Sequence, residues 1–367
     1  ISDVPIGILL SGGIDSSLIV ASLAEQGLKL PCYTMGFKGV SDYYEERPAA
    51  KKLAEYFGMK HYNLEMSSKN LLNIVPQVFD ASDEPFADSS ALPFFALSKE
   101  VSKNTTVVLS GDGSDEVFGG YRKYIGEKWA RIGMMLPNPI RNFLASLLIE
   151  NKDTKYGEFC RKLRRFLNNV SEDEITRHIN WLEQLNATDI KSLLGNNPSN
   201  VRDMFISSRG NLKDNINAVL LGDMYISLTG DMLVKLDRMS MANSLEVRSP
   251  FLDKDLVEFA FTIPGKYKVG AFNGKKVLKE TFSNRLPKWS SNLPKKGFEV
   301  PIANWLKKDL KNMLDHASLP KNLDKIGIVN HSMVDEWKKS LFSGTRDTSW
   351  KLWTLISYYY WAESKGI

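Results

Sequence analysis

The feature that most constrains this chain is an apolar run at residues 6–10 that ends in a turn of small residues and continues as an Ala/Leu-rich helical pattern. The turn reads Ser11-Gly12-Gly13-Ile14-Asp15-Ser16-Ser17. Its glycines allow the backbone to approach a ligand closely, and its serines supply hydroxyl groups. The helix that follows directs free N–H groups and the positive end of its dipole at the same point. The pattern therefore predicts a phosphate-binding loop after a strand.

One residue of this turn, Asp15, is unexpected beside phosphate, because a carboxylate repels phosphate oxygens. A divalent cation between the two anions removes the conflict, and Mg²⁺ prefers such oxygen ligands. The turn therefore predicts a polyphosphate bound together with Mg²⁺. It has neither the Walker Gly-Lys-Ser/Thr nor the Gly-x-Gly-x-x-Gly of dinucleotide sites, so neither of those sites is favoured. The alternative is that Asp15 or Ser16 only caps the helix.

Composition narrows the class of protein. The 367 residues are 43% hydrophobic and 25% charged, which are ordinary values for a globular chain with a substantial core. The net charge of +5 comes without an arginine-rich tail, so nucleic acid is not expected as a partner. The two cysteines, Cys32 and Cys160, lie far apart, which fits a reducing, cytoplasmic location. No apolar stretch is long enough to cross a bilayer, so no membrane partner is expected.

Strand-like and helix-like segments alternate along the first third of the chain. Apolar, strand-like runs occur at 6–10, 31–37, 61–66 and 105–109, with helical patterns between them. This alternation predicts an α/β fold with a doubly wound, mainly parallel sheet. From about Tyr121 onward helix-like segments dominate. We therefore expect a nucleotide-binding core at 1–121, followed without a linker by a mostly helical part at 122–367.

A second turn follows the run at 105–109 and, like the first, combines small residues with acidic ones after a strand-like run. It reads Ser110-Gly111-Asp112-Gly113-Ser114-Asp115-Glu116. Its three carboxylates repel one another unless a metal or a cationic ligand lies between them. Doubly wound sheets bind ligands beyond the carboxyl ends of their strands, where both turns are expected. Together the two turns predict a cleft for a metal-bound nucleotide.

These motifs resemble those of a known family. The first turn is similar to the pyrophosphate loop of the ATP-pyrophosphatase superfamily, and the two turns together resemble the synthetase domain of glutamine-hydrolysing asparagine synthetases. Further runs match in the family's order, at 83–88, 235–242, 245–253 and 293–301. The resemblance spans nearly the whole chain and is weakest at about 123–224. It implies a fold like that of the adenine nucleotide alpha hydrolases with a helical carboxyl-terminal extension.

The resemblance also implies a reaction. In this family the side-chain carboxylate of aspartate attacks the α-phosphate of Mg-ATP, pyrophosphate leaves, and ammonia converts the acyl-adenylate to an amide. It therefore implies aspartate and ammonia as substrates and ATP and Mg²⁺ as cofactors. Three alternatives stay open. They are a family member that amidates another carboxylate or a sugar, a superfamily enzyme that acts on a tRNA base or a nucleotide, and a non-catalytic nucleotide-binding domain.

The resemblance implies which residues hold the nucleotide. Those that would bind ATP and its pyrophosphate are Leu10, Ser11, Gly12, Gly13, Asp15, Ser16, Ser17, Met35, Gly36, Phe37, Ser110 and Gly111. The first turn would hold the leaving pyrophosphate, and backbone around the other positions would frame adenine and ribose. Asp15 and Asp115 would carry Mg²⁺, which neutralises charge on both sides of the breaking bond.

The same resemblance implies catalytic and substrate-binding residues. Lys295 would add positive charge to the phosphates in the transition state, Asp112 would assist attack of ammonia, and Asp115 would act as a metal ligand. Asp237 and Arg238 would line the amino-acid pocket, or else form a buried ion pair that braces their helix.

Several positions depart from the family's pattern. Asp112 stands where Glu is most frequent, and it keeps the charge while reaching less far by one methylene. Related β-lactam-forming synthetases carry Tyr there, so Asp112 argues against them. Leu293 and Lys279 stand where Arg is common, which affects the expected substrate contacts.

The family's amino-terminal glutaminase, with its nucleophilic first-position Cys, has no match in this chain, which starts with Ile1. We therefore expect ammonia to come from solution or from a glutaminase domain in the parent protein. A homodimer is compatible with the resemblance.

Overall fold

The computed structural model describes residues 2–37, 45–66, 68–148, 155–170, 173–196, 201–210, 212–291 and 300–367. Within these ranges the strands form a five-stranded sheet of order β3-β2-β1-β4-β5, in which all pairs are parallel. The strands are β1 (Ile6–Leu9), β2 (Cys32–Phe37), β3 (His61–Met66), β4 (Val107–Leu109) and β5 (Glu246–Arg248). The predicted α/β fold with a doubly wound parallel sheet is confirmed.

The strand order places β1 and β4 side by side. The chain runs outward from β1 through β2 to β3, and then returns to the other side of β1 for β4 and β5. Gly7 lies opposite Val108, and Ile8 lies opposite Leu109. The winding direction therefore reverses between β1 and β4, which is where ligands bind in such sheets.

Helices follow each of the first four strands. In this part of the chain they are α1 (Ile14–Glu25), α2 (Arg47–Tyr56), α3 (Ser68–Asp80), α4 (Ala91–Val101) and α5 (Ser114–Phe118). Between α5 and β5 the helices are α6 (Arg122–Met134), α7 (Asn138–Leu147), α8 (Lys155–Asn169), α9 (Glu174–Leu182), α10 (Ala187–Leu194), α11 (Val201–Ser208), α12 (Asn215–Asp223), a π-helix (Met224–Met232) and α13 (Leu233–Met241).

The carboxyl-terminal third is helical. After β5 come a 3₁₀ turn (Pro250–Leu252), α14 (Lys254–Thr262), α15 (Gly265–Lys268), α16 (Lys276–Thr281), α17 (Lys288–Ser291), α18 (Ile302–Lys307), α19 (Lys311–Ala317), α20 (Pro320–Lys325), α21 (His331–Ser343) and α22 (Ser349–Ser364). Among the described residues, no helix combines the length and apolar character needed to span a membrane.

Both faces of the sheet are covered. In β2 the side chains alternate, so that Tyr33 and Met35 join one apolar core while Cys32 joins the other. The first core also contains Trp305 of α18 and Trp353 of α22. Helices from the last third of the chain therefore bury one face of a sheet whose first four strands come from the first third.

The fifth strand differs from the expectation. Glu246–Arg248 pairs with β4 and lies within the part expected to be mostly helical. Its three residues are exposed or half-buried, so they give no apolar run of the kind that predicted the other strands.

Candidate functional site

The two glycine-containing turns meet at the carboxyl ends of β1 and β4. The second turn packs against the start of α1 at Gly111, where a Cβ would lie 2.8 Å from the Asp15 Cβ and 3.1 Å from the Ser16 nitrogen. The residues predicted to form two halves of one cleft are thus neighbours in space.

The serines of the first turn shape its backbone. The Ser11 hydroxyl accepts a hydrogen bond from the Gly13 N–H at 3.3 Å, and the Ser17 hydroxyl donates to the Gly13 carbonyl at 2.7 Å. Gly12 has φ +78°, a conformation that favours glycine. Gly13 occupies the N-cap position of α1, where no side chain caps the helix. The first N–H groups of α1 are therefore presented to the cleft as anion donors.

Asp15 and Asp115 converge on a lysine that the sequence analysis did not identify. The Lys275 Nζ lies 2.6 Å from Asp15 Oδ2 and 2.6 Å from Asp115 Oδ1. The Ser114 hydroxyl donates to Asp15 Oδ1 at 2.8 Å. Only 3% of the Lys275 side chain is exposed. A single buried cation thus already satisfies the two carboxylates that were expected to hold a metal.

The two carboxylates come from different turns and lie within reach of one cation, here the Lys275 ammonium. Mg²⁺ is usually held by one or two carboxylates plus substrate phosphates, so this pair has the donor chemistry of a magnesium site. Within the described ranges, no group of three or more His, Cys, Asp or Glu side chains could hold a metal ion. A metal here would therefore need phosphate oxygens to complete its coordination.

The second turn holds two further carboxyl groups. The Ser110 hydroxyl donates to Asp112, and the Tyr121 hydroxyl donates to Glu116 Oε1 at 2.7 Å. Burial, reinforced by the neighbouring Asp115 carboxylate, raises the pKa of Glu116 to about 7. Glu116 can therefore hold or release a proton near neutral pH.

A second buried lysine, Lys235 of α13, also lies at the cleft. The Lys235 Nζ lies 2.9 Å from Asp88 Oδ2 and 2.9 Å from the Ser90 hydroxyl. Burial alone would lower the pKa of Lys235, but the carboxylates of Asp88, Asp112 and Asp231 raise it overall. Burial and the Asp88 charge raise the pKa of Asp231 to about 6. Lys235 therefore remains a cation at neutral pH.

Lys235 and Asp88 belong to sequence runs that matched the family, so a signal for both was present. The motif did not show which of its residues face the cleft.

A cavity of about 180 Å³ lies between several of these groups, and we term it the central cavity. Of the predicted residues, those that line it are Leu10, Ser11, Asp15, Ser16, Met35, Ser110, Gly111, Asp112 and Asp115. The lining also includes Glu116, Tyr121, Met232 and Lys235, which were not predicted. Gly12, Gly13, Ser17, Gly36 and Phe37 lie in the adjoining turn and strand.

The remaining predicted residues lie elsewhere. Arg238 of α13 forms an ion pair with Asp83, and its Nε lies 4.0 Å from Asp237 Oδ2. The side chains of Arg238 and Asp237 are 46% and 65% exposed, so they form no buried ion pair. Neither lines the central cavity, to which α13 presents Lys235 instead. Lys295 and Leu293 lie outside the described residues.

Comparison with known proteins finds one family over nearly the whole chain. A family model described as asparagine synthase matches residues 1–363. The glutamine-hydrolyzing asparagine synthetase 1 of Bacillus subtilis is 29% identical over 370 residues, which cover 98% of this chain and 56% of that protein. The glutamine-hydrolyzing asparagine synthetase 3 of the same organism is 28% identical over 358 residues, which cover 89% of this chain and 52% of that protein.

A relative with a different name matches as broadly. Amidase chyE of Penicillium rubens is 26% identical over 385 residues, which cover 93% of this chain and 56% of that protein. The chain thus spans about half the length of these curated relatives.

Proposed function

The chain belongs to the asparagine synthase family, and from this premise we propose that it is an AMP-forming amide synthetase that joins ammonia to a carboxylic acid at the expense of ATP. We propose aspartate as the acid and asparagine as the product, as the names of the Bacillus subtilis relatives suggest. The observation that carries this proposal is the meeting of Asp15 and Asp115 at one cation, at the ends of adjacent strands.

The proposed reaction uses the two turns together. The uncapped N–H groups at the start of α1 bind the pyrophosphate portion of ATP as it leaves. Asp15 and Asp115 would hold Mg²⁺, which would supply positive charge to the phosphates. The carboxylate of the acid attacks the α-phosphorus, forming an acyl-adenylate and releasing pyrophosphate. Ammonia then attacks the acyl carbon, which gives the amide and AMP.

Three side chains have proposed supporting roles. Lys275 bridges the two carboxylates and holds them close together, because its ammonium lies 2.6 Å from each. Asp112, held by the Ser110 hydroxyl, assists the attack of ammonia. Lys295, proposed from the family motif, adds positive charge to the phosphates. We propose that ammonia comes from solution or from a partner glutaminase domain, since the matched relatives are about twice as long and are named for glutamine hydrolysis.

The proposal is tested by measuring pyrophosphate and AMP in the presence of ATP, Mg²⁺, ammonium and aspartate. We expect pyrophosphate, AMP and asparagine to form in equal amounts. Absence of pyrophosphate release above background with aspartate, and with a panel of other carboxylic acids, would contradict the proposal.

A pair of variants tests the two-carboxylate site. Asp15→Asn should lower turnover at least a hundredfold while leaving the protein folded, because it removes one charge that offsets the metal and the Lys275 ammonium. The matched control is Glu258→Gln on α14, whose side chain is 66% exposed and lies outside the cleft. The control should keep wild-type turnover. Full activity in Asp15→Asn would contradict the proposal that Asp15 holds Mg²⁺.

A further inference from the structure

One helix of the structure exposes its apolar side chains to solvent. On α7 the exposed apolar residues recur at positions i, i+3, i+4 and i+7, so they form a single stripe along the helix. They are Ile140, Phe143, Leu144 and Leu147, which are between 38% and 63% exposed. We term these four residues the α7 stripe. The apolar stripe of a surface helix normally faces the core, so the orientation of α7 is the reverse of the usual one.

The buried face of α7 carries the charge of the helix instead. Arg141, the only charged residue of α7, is 7% exposed. Its Nη2 donates a hydrogen bond to the Asn138 side chain, whereas its Nε and Nη1 have no hydrogen-bond partner among the described residues. Burying these donors costs free energy, and leaving the stripe in water loses the free energy that its burial would provide. Contact of the stripe with another surface would recover the second of these losses.

The neighbouring helices carry further exposed apolar side chains. The chain passes from α6 to α7 through a short link, and α7 packs against α8. The exposed side chains on α6, the link and α8 are Ile132, Met135, Leu136, Tyr156 and Phe159. At roughly 100 Å² each, these five and the α7 stripe present about 900 Å² of apolar surface. The largest apolar patch on a monomer is typically about 300–600 Å², whereas a stable interface buries about 800 Å² on each partner.

The absence of charge on the outer face of α7 indicates the kind of partner. Every exposed residue of α7 is uncharged, because its one charged residue is buried. In an interface with two-fold symmetry, residues near the axis face their own copies, so a charge there would meet a like charge. Helices that lie on membranes instead carry Lys and Arg beside their apolar face, and α7 exposes neither. The stripe is therefore suited to a second copy of the same chain.

We propose that two copies of this chain form a dimer with two-fold symmetry, in which their α7 stripes pack against each other. The exposed apolar side chains at the end of α6 and the start of α8 surround the paired helices. Because the two stripes cover each other, the interface is closed and assembly stops at two chains. The proposal goes beyond the proposed function, since none of these residues lines the central cavity.

Sedimentation velocity of the full chain between about 1 and 100 µM tests the proposal, because dimer formation depends on concentration. We expect a mass near twice the 41.5 kDa of one chain. Phe143→Lys/Leu147→Lys should give a monomer throughout this range, because a dimer would bury like charges against each other. The matched control Tyr56→Lys/Val329→Lys places two lysines at exposed apolar positions on other elements, and it should leave the dimer unchanged.

A cysteine variant tests the same interface if the lysine variant does not fold. Leu144→Cys replaces one apolar side chain in the middle of the stripe with a smaller one, and both native cysteines are buried. We expect a short bis-maleimide to join most of this variant into covalent dimers, which have twice the mass of one chain on a denaturing gel. Ser343→Cys, at an exposed position at the end of α21, should give few such dimers.

Three results would overturn the proposal. The first is a chain that stays monomeric up to about 100 µM, which would leave the stripe to a different protein or to none. The second is a dimer that persists in Phe143→Lys/Leu147→Lys and is not captured through Leu144→Cys, which would place the interface on another face. The third is a monomeric chain that binds phosphatidylcholine and phosphatidylglycerol vesicles in sedimentation assays and loses this binding in the lysine variant, which would identify a membrane as the partner.

Discussion

Glycines at two positions let charged groups of the site approach one another. At Gly111 the second turn touches α1, and at Gly120 a Cβ would lie 1.8 Å from Asp115 Oδ1 and 2.3 Å from Lys275 Cε. Any larger residue at either position would displace an atom of the Asp15, Asp115 and Lys275 group. The geometry of the site therefore depends on the absence of a side chain at Gly111 and Gly120 as well as on the charged side chains around them.

Gly111→Ala should separate the two turns. Its Cβ would contact the Asp15 Cβ at 2.8 Å, and relieving such an overlap costs about 1–3 kcal/mol. We expect pyrophosphate release to fall at least tenfold, with a smaller loss of thermal stability. The control is Gly230→Ala in the π-helix, where a Cβ meets nothing within 4 Å. The control should retain activity within about twofold, and a fully active Gly111→Ala would show that the turns tolerate separation.

Lys268 of α15 carries a buried charge without a hydrogen-bond partner among the described residues. The residue is 0% exposed, and its Nζ lies 4.3 Å from the centre of the Phe261 ring. Burial lowers the pKa of Lys268 from 10.5 to about 8, although Asp214 opposes the change. The unfolded chain therefore binds more protons than the folded chain between about pH 8 and 10.5, and stability from this group rises with pH across that window.

Lys268→Met should stabilise the protein at pH 7. At about 1.4 kcal/mol per pKa unit, the lowered pKa corresponds to roughly 3 kcal/mol at most, so we expect a gain of about 1–3 kcal/mol in the free energy of unfolding. The gain should shrink as pH rises from 8 to 10.5. Urea unfolding at a series of pH values measures both effects, with Lys266→Met at an exposed position of the same helix as the control. A variant less stable than wild type at pH 7 would contradict the assignment.

At the scale of elements, one buried aspartate joins three helices. Asp223 at the end of α12 is 0% exposed and accepts hydrogen bonds from Tyr124 of α6 at 2.6 Å and from His178 of α9 at 2.9 Å. Lys123 of α6 lies 2.8 Å away. Burial alone would raise the pKa of Asp223, but Lys123 and His178 lower it overall. Asp223 is therefore a charged link between α6, α9 and α12.

Asp223→Ala should destabilise the protein by about 3–5 kcal/mol, because it leaves Lys123 and the buried polar groups of Tyr124 and His178 without their acceptor. Urea unfolding measures the change. The control is Asp335→Ala on α21, an exposed acid, which should alter stability by no more than about 0.5 kcal/mol. A loss below about 1 kcal/mol for Asp223→Ala would mean that the network contributes little.

The sequence predicted the elements that carry strong local patterns. Buried parallel strands appear as apolar runs beside glycine turns, so β1 to β4 were predicted correctly, and the two turns were placed on one edge of the sheet. By contrast, β5 has three residues without such a pattern. Lys275 lies 260 positions from Asp15 and meets it only through the tertiary fold.

The motif also did not show which face of a helix is buried. The run at 235–242 marked α13 as part of the site but did not show that Lys235 faces the cavity while Asp237 and Arg238 face solvent. Which side of a helix is buried depends on its packing partners, here Asp88 and Ser90 from a distant segment.

At the scale of the whole molecule, the sheet and its helical cover draw on distant parts of the chain. The edge strand β5 comes from residues 246–248, and the core against β2 includes Trp305 and Trp353. A chain that ends at residue 121 lacks both the edge strand and the residues that bury one face of the sheet.

A fragment of residues 1–121 should therefore fail to fold by itself, because one face of β2 would be exposed to water. We expect no cooperative unfolding transition by circular dichroism and poor dispersion in its proton NMR spectrum. The control fragment, residues 1–364, removes only three exposed terminal residues and should unfold cooperatively. A cooperative transition in the 1–121 fragment would show that these residues form an independent domain.

The position of α8 and α9 along the chain has an evolutionary consequence. These helices are separate in sequence from the two turns that follow β1 and β4, so substitutions can accumulate in one part without altering the other. A lineage could therefore vary these helices while it inherits both turns unchanged.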